Sequence, residues 1–184
     1  MLKYLFAIAG LLLAAPLATS AAAEIAPIHS PREYCQANGG SVQIRTPEFG
    51  TNGSNPLVLA GPREFCQFVS KDGATQISVL LTTLIATKPS LAVLAYYAKP
   101  KVNLHKCQGG PGSCYCADVG GTDNFGGITL AGGGWVLQSD ANDVLDVCVF
   151  PDLSAIDAYG LFYHSHDIIR GQNLAHKFRY PSPY

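Results

Sequence analysis

The chain has 184 residues, with 12 Lys and Arg against 13 Asp and Glu, six cysteines and 48% hydrophobic residues. This near-neutral balance gives no electrostatic footprint for nucleic acid, and the length suffices for one proper core or two small ones packed together. The charge is uneven: residues 24–106 carry eight basic and five acidic side chains, and residues 107–184 carry three and eight. Opposite signs favour contact between the halves, but at about 0 to 1 kcal/mol per exposed pair they set orientation more than stability.

Lys3, the apolar run from Leu5 to Leu17 and the small residues Ala21, Ala22 and Ala23 make the pattern of a cleavable secretory signal over residues 1–23. The run is shorter than the roughly 18 residues of a spanning helix. The expected product begins at Glu24, is soluble, has no membrane span and is periplasmic or secreted. Six cysteines in an exported chain read as disulfides.

The next helix signal is Ser30-Pro31-Arg32-Glu33, in which serine caps, proline occupies the first turn and Glu33 bonds back to the cap. That helix runs to about Ala37 and stops at Asn38-Gly39-Gly40. Ser41 to Thr46 alternates Val42 and Ile44 with polar neighbours and predicts a strand. Residues 49–56, rich in Gly and Asn, predict a loop, and Phe65 to Ser70 and Gln76 to Leu84 predict two strands around Lys71-Asp72-Gly73. Lys88-Pro89-Ser90 and the apolar residues Leu91, Val93, Leu94, Ala95 and Ala98 predict a helix capped near Thr87.

From Cys116 the pattern begins again. Cys35-Gln36-Ala37-Asn38-Gly39-Gly40 is answered by Cys116-Ala117-Asp118-Val119-Gly120-Gly121, and Cys66 by Cys148, at offsets of 81 and 82 positions. A near-constant offset is what duplication produces. Ser113 is the expected cap of a helix through Tyr115, Cys116 and Val119. Ile128 to Leu130, Gly134 to Gln138, Val144 to Phe150 and Ile156 to Tyr163 are the expected strands, with Pro151-Asp152 at a hairpin turn.

The fold class expected is therefore α+β. Two tandem related modules, residues 24–86 and 113–184, each place a short helix before a small antiparallel sheet. They are disulfide-stapled and packed together, and residues 87–112 supply a connecting helix and loop. If each copy closes its own bridge, Cys35 pairs with Cys66 and Cys116 with Cys148, leaving Cys107 and Cys114 to close the small loop between them. A loop of about 30 residues makes each longer bridge worth roughly 3 to 4 kcal/mol on the loop-entropy account.

These residues carry a resemblance. The second copy resembles the bacterial omnipin domain, a short cysteine-containing domain also labelled hemolysin. Its pattern is a helix ending Cys-x-x-x-Gly-Gly, then Cys-x-x-Pro-Asp-Gly-x-x-Cys and an aromatic residue. Cys116, Gly120, Gly121, Cys148, Pro151 and Asp152 match in place, and Tyr159 stands where that pattern has tryptophan. Leu153 replaces the turn glycine and Ile156 the inner cysteine. In the first copy Gly73 keeps the glycine, Gln76 stands for the inner cysteine, and a two-residue insertion removes the proline. The likeness covers about two thirds of residues 24–184 as a degenerate pair. It implies a secreted or periplasmic domain whose expected activity is peptidase inhibition rather than hemolysis.

Chemical motifs are sparse. His164-Ser165-His166-Asp167, with Arg170 near, is the densest set; on a strand the two histidines would face one way and could hold a metal with Asp167. No third ligand has matching spacing, and Ser165 lacks the glycines of a nucleophile elbow. Residues Asp140 to Asp146 resemble a calcium loop only partly, since the turn glycine and closing glutamate are absent. Gly132-Gly133-Gly134 lacks the lysine and helix of a phosphate loop, and Asn52-Gly53-Ser54 fits a glycosylation acceptor.

Three functions follow in order of preference. The first is a binding module, of which a peptidase inhibitor is one form, that presents the loops Thr46 to Pro62 and Gly121 to Gly134. Its candidate contact residues are Phe49, Asn52, Asn55, Asp123 and Phe125, and its expected partner is a peptidase or another envelope or extracellular protein. The second is a structural or envelope-interaction protein, and the third an exported hydrolase using His164, His166 and Asp167. No cofactor is expected.

Overall fold

The computed structural model describes residues 30–102, 109–123 and 131–183. The expected signal segment, the expected strand Ile128 to Leu130, Phe125 and Cys107 lie outside the described residues. The fold is α+β, with eight strands in one antiparallel sheet and five α-helices among the described residues.

Helix α1 (Pro31–Ala37) begins where its sequence signal puts it. The Glu33 N–H donates to Ser30 Oγ at 3.2 Å and the Ser30 N–H donates to the Glu33 carboxylate at 3.0 Å, a closed capping box. At its end Gly39 takes a left-handed φ of 80°, and the Gly40 N–H donates to the Cys35 carbonyl at 3.0 Å. Strands β1 (Ser41–Phe49), β2 (Leu57–Val58), β3 (Arg63–Val69) and β4 (Gln76–Leu80) follow.

Two expectations for this half need correction. β1 runs on through Pro47 to Phe49, because the missing N–H of Pro47 points into the gap between β2 and β3, where no strand needs it. The strand predicted from Gln76 to Leu84 stops at Leu80. Leu81–Leu84 forms helix α2 and turns Leu81, Thr83 and Leu84 into the core.

Helix α3 (Leu91–Ala98) starts later than Thr87, and its N-terminus is satisfied from a distance. The Leu91 N–H donates to Asp152 Oδ2 at 2.8 Å and the Ala92 N–H to Ser154 Oγ at 3.0 Å, so a turn some 60 residues away supplies the cap. Helix α4 (Pro111–Asp118) has Gly110 at the capping position, and Ser113 lies inside the helix. Its end repeats that of α1: Gly120 has φ 88° and the Gly121 N–H donates to the Cys116 carbonyl at 2.9 Å.

Strands β5 (Gly133–Leu137), β6 (Asp140–Leu145), β7 (Val147–Val149) and β8 (Ala155–Asp157) complete the sheet in the order β6-β5-β1-β3-β4-β8-β7, with β2 beside β1. The single strand expected from Val144 to Phe150 is divided at Asp146. Since β6 and β7 are the two ends of the sheet and only Asp146 separates them, the sheet must curl until its ends meet. The strand expected from Ile156 to Tyr163 is also two elements. After β8, the Asp157 carboxylate accepts the Gly160 N–H at 2.8 Å and starts helix α5 (Ala158–Ser165).

The bridges Cys35–Cys66 and Cys116–Cys148 form as expected. Each lies on the second glycine of its pair. A Cβ on Gly40 would stand 2.3 Å from Cys66 Sγ, and one on Gly121 2.4 Å from Cys148 Sγ. The third expected bridge involves Cys107, beyond the described residues. Register pairs align Val42, Cys66, Val79, Ile156 and Cys148 in one row across the sheet. That face meets the helices in the main core, with Phe68, Ile77, Tyr96, Tyr115, Leu161 and Leu174.

The inner face of the curl holds a smaller cluster of Phe65, Trp135, Leu145, Val147 and Ala155. Arg45 lies there wholly buried. Its guanidinium donates to Gln43 Oε1 at 2.7 Å, to the Trp135 carbonyl at 3.0 Å and to Asp143 Oδ1 at 3.0 Å, clamping β1 to the β5–β6 hairpin. No helix among the described residues is long and apolar enough to cross a membrane.

Two outcomes are expected. Gly121→Ala forces a Cβ into a disulfide sulfur and should lower unfolding free energy by about 1 to 3 kcal/mol in urea titrations of the oxidised protein, whereas Gly61→Ala, with open space around it and no positive φ, should not. Residues 24–86 or 113–184 expressed alone should be poorly soluble, because β1 loses β5 and β4 loses β8. Two halves that each unfold cooperatively would contradict this.

Candidate functional site

The two loops singled out in the sequence meet at the end of the β1–β2 ribbon. The Gly50 N–H donates to the Gly132 carbonyl and the Asn52 N–H to the Ala131 carbonyl, both at 2.9 Å. Gly132, at φ 72°, leaves room for that approach, since a Cβ would stand 2.7 Å from Thr51 Oγ1. The loop at residues 50–56 is therefore braced along one side by the second loop.

Phe49 pairs with Leu57 on β2 and with Gly133 on β5. Paired residues share a face and successive residues alternate, so Phe49, Leu57 and Leu59 project together, the last held by its N–H donating to the Pro47 carbonyl at 2.9 Å. All three stay exposed, Leu57 at 61% and Leu59 at 40%, as does Val58 on the opposite face at 58%. Asn52 and Asn55 are exposed on the same loop. Phe49 is legible in the sequence as a loop-edge aromatic and the leucines are not, because an exposed Leu-Val-Leu run is written like a buried strand.

Asp123 belongs elsewhere. It accepts a hydrogen bond from Ser113 Oγ at 2.6 Å at the start of α4, next to Thr122, which bridges Val149 on β7. Burial, with Asp123 adding like charge, pushes the Asp146 carboxyl up to about 6. Burial likewise raises Asp157 to about 6, opposed by the Gly160 N–H and Arg170.

The histidine cluster is not what a strand would make it. His164 and His166 lie at the end of helix α5, where residues two apart point about 200° apart. His164 is buried and stacked on Tyr96, ring centroids 3.6 Å apart and planes 8° apart. Tyr96 in turn donates to Asn173 Oδ1 and accepts the Leu174 N–H, and burial pushes its hydroxyl up to about 12. His166 faces out with Nδ1 3.0 Å from the Phe162 carbonyl, and Asp167 pairs with Lys99 at 2.7 Å, which holds its carboxyl below the usual range. Ser165 is buried and donates to the Phe162 carbonyl, so it is no accessible nucleophile.

The partial calcium pattern is likewise dispersed. Asp140 turns back on Asn142, Asp143 binds Arg45, and β6 is extended where a calcium loop would wrap. Among the described residues no group of three His, Cys, Asp or Glu could hold a metal ion. Compared with known proteins, the chain matches no family model, no curated protein and no solved structure.

Acid sensitivity follows from these groups with opposed signs. Burial, with Lys99 nearby, pushes His164 down from its ordinary 6.5 to about 4, against the pull of Asp167. Between those values the unfolded chain binds a proton that the folded protein refuses, so His164 makes stability fall as pH falls. Asp146 and Asp157 do the reverse below about 6, keeping protons that the unfolded chain releases. His164→Phe, which keeps a flat ring on Tyr96, should therefore resist acid better than the parent, by on the order of 1 to 2 kcal/mol at about pH 5 relative to pH 7.5. Thermal melts of both proteins across that range give the comparison, and parallel curves would exclude His164 as the acid-sensitive group.

Proposed function

We propose that the chain is an exported, disulfide-bonded binding module in which two degenerate copies of one helix-plus-sheet unit form a rigid frame, and that a peptidase or another extracellular protein is its partner. The observation that carries this reading is the apolar face of Phe49, Leu57 and Leu59 held out on a braced ribbon. Apolar residues left in water on a rigid backbone lower the ordering cost of filling a partner's cleft. The two bridges and the absence of a membrane-crossing helix among the described residues are compatible with export.

Several correspondences support the duplication. Ser41 pairs with Gln67, one residue past Cys66, and Thr122 bridges Val149, one residue past Cys148. In both hairpin turns an aspartate accepts the N–H two residues on at 3.1 Å, Asp72 from Ala74 and Asp152 from Ser154. A residue with φ near 70° follows each aspartate, Gly73 at 73° and Leu153 at 64°. Of these residues, Asp152 and Gly73 also belong to the resemblance to omnipin domains, from which the peptidase partner is taken.

A panel of serine, cysteine and metallopeptidases, assayed with the oxidised protein, tests the reading. Stoichiometric inhibition is expected of the parent and of His164→Ala with His166→Ala, whereas replacing residues 49–55 by a Gly-Ser linker, or Leu57→Asp with Leu59→Asp, should weaken it at least about tenfold with both bridges intact. Turnover of a substrate that disappears only in the histidine variant would replace this reading with the hydrolase.

A further inference from the structure

Leu153 sits at the tip of the β7–β8 turn with φ 64° and 77% of its surface exposed. The turn is fixed around it. Its own N–H donates to the Phe150 carbonyl at 2.8 Å, Asp152 Oδ1 accepts the Ser154 N–H and hydroxyl at 3.1 and 2.5 Å, and Asp152 Oδ2 caps α3 through Leu91. This backbone requires a left-handed residue, for which glycine is the natural choice. In the turn between β3 and β4 an aspartate likewise accepts the N–H two residues on, Asp72 from Ala74, and the left-handed position is Gly73, with nothing within 4 Å of where a Cβ would stand. Leucine at the second position thus strains the backbone and leaves its side chain in water. Neither the turn nor the core accounts for it.

Leu153 itself forms one wall of a groove of about 540 Å³, whose other walls include Pro31, Pro62, Arg63, Leu80, Leu81 and Thr82. Its rim carries both charges, with Arg32 paired to Glu64 and Arg63 next to them. We infer that this surface joins two copies of the chain about a twofold axis, each Leu153 entering the other's groove. An isologous contact needs projection and recess side by side on one chain, with a rim that complements itself on rotation. This surface meets both conditions: Arg63 of one copy can face Glu64 of the other. An unrelated partner would require neither the recess nor the mixed rim. The contact uses the Leu153 turn and not the Phe49–Leu59 ribbon, so it stands apart from the function proposed above.

Sedimentation equilibrium of the purified, oxidised protein over the micromolar range tests the pairing. The parent should show a concentration-dependent monomer–dimer equilibrium. Leu153→Gly should raise the dimer dissociation constant by about a hundredfold, because symmetry removes two apolar anchors at once, while its melting temperature, compared at concentrations where both proteins are monomeric, stays level or rises as the backbone strain is relieved. Thr82→Arg, which fills the groove from an exposed position and leaves Leu153 in place, should dissociate the dimer as well. A parent that remains monomeric throughout, or a Leu153→Gly protein that associates like the parent, overturns the proposal.

Discussion

A disulfide laid on a glycine is the contact on which the rest of this fold depends. At Gly40 and again at Gly121 the bridge sulfur stands where a side chain would begin, so the end of a helix and the middle of a strand come closer than two ordinary residues allow. The preceding glycine, at positive φ, turns the chain back so that the next residue enters the sheet. Helix, bridge and strand are thereby locked together within a few residues. Both locks fall in one row, with Val79 on β4 and Ile156 on β8 paired between them. The helices can then share one core on that face, and each half completes its burial only against the other.

The opposite face is held by a charge. Arg45 from the first half is buried against Asp143 and the Trp135 carbonyl from the second, under a sheet curled enough for Phe65 and Trp135 to meet edge to face at 5.2 Å. A buried guanidinium without its carboxylate would be strongly unfavourable, so the β5–β6 hairpin must stay on β1 while the inner face remains dry. That pairing also stiffens the last residues of β1, from which the exposed ribbon extends. Presentation of Phe49 and Leu57 is therefore a consequence of how the halves are joined.

Local chemistry was legible in the sequence and distant chemistry was not. Ser30 and Glu33 spell a capping box, Asn38-Gly39-Gly40 spells a helix end, and near-constant cysteine offsets point to the two described bridges, because each signal acts over a few residues or repeats. Helix α3 hid its true start because its caps, Asp152 and Ser154, are distant in sequence. Residues 156–163 read as a strand because Ile156, Tyr159, Phe162 and Tyr163 have strong strand preference. The cap by Asp157 and the burial of Ala158, Leu161 and Ser165 on one helical face override it. Once that segment is helical, the paired histidines part company, and the candidate metal site disappears with the strand that would have made it.

Where the unusual groups sit bears on what such a frame can do. His164 and Asp157 have shifted protonation because they are buried, His164 stacked on Tyr96 and Asp157 bound to the start of helix α5. A catalytic acid or base must reach the proton it moves. The surface, by contrast, exposes its leucines most at Leu57 on the ribbon and at the Leu153 turn, with Ile168 and Ile169 exposed elsewhere, and backbone hydrogen bonds hold both the ribbon and the turn. Stability alone would favour glycine at one and polar residues at the other. On the binding reading proposed above, leucine is kept at both places for recognition, and the two places lie on different elements, so each can be removed without disturbing the other.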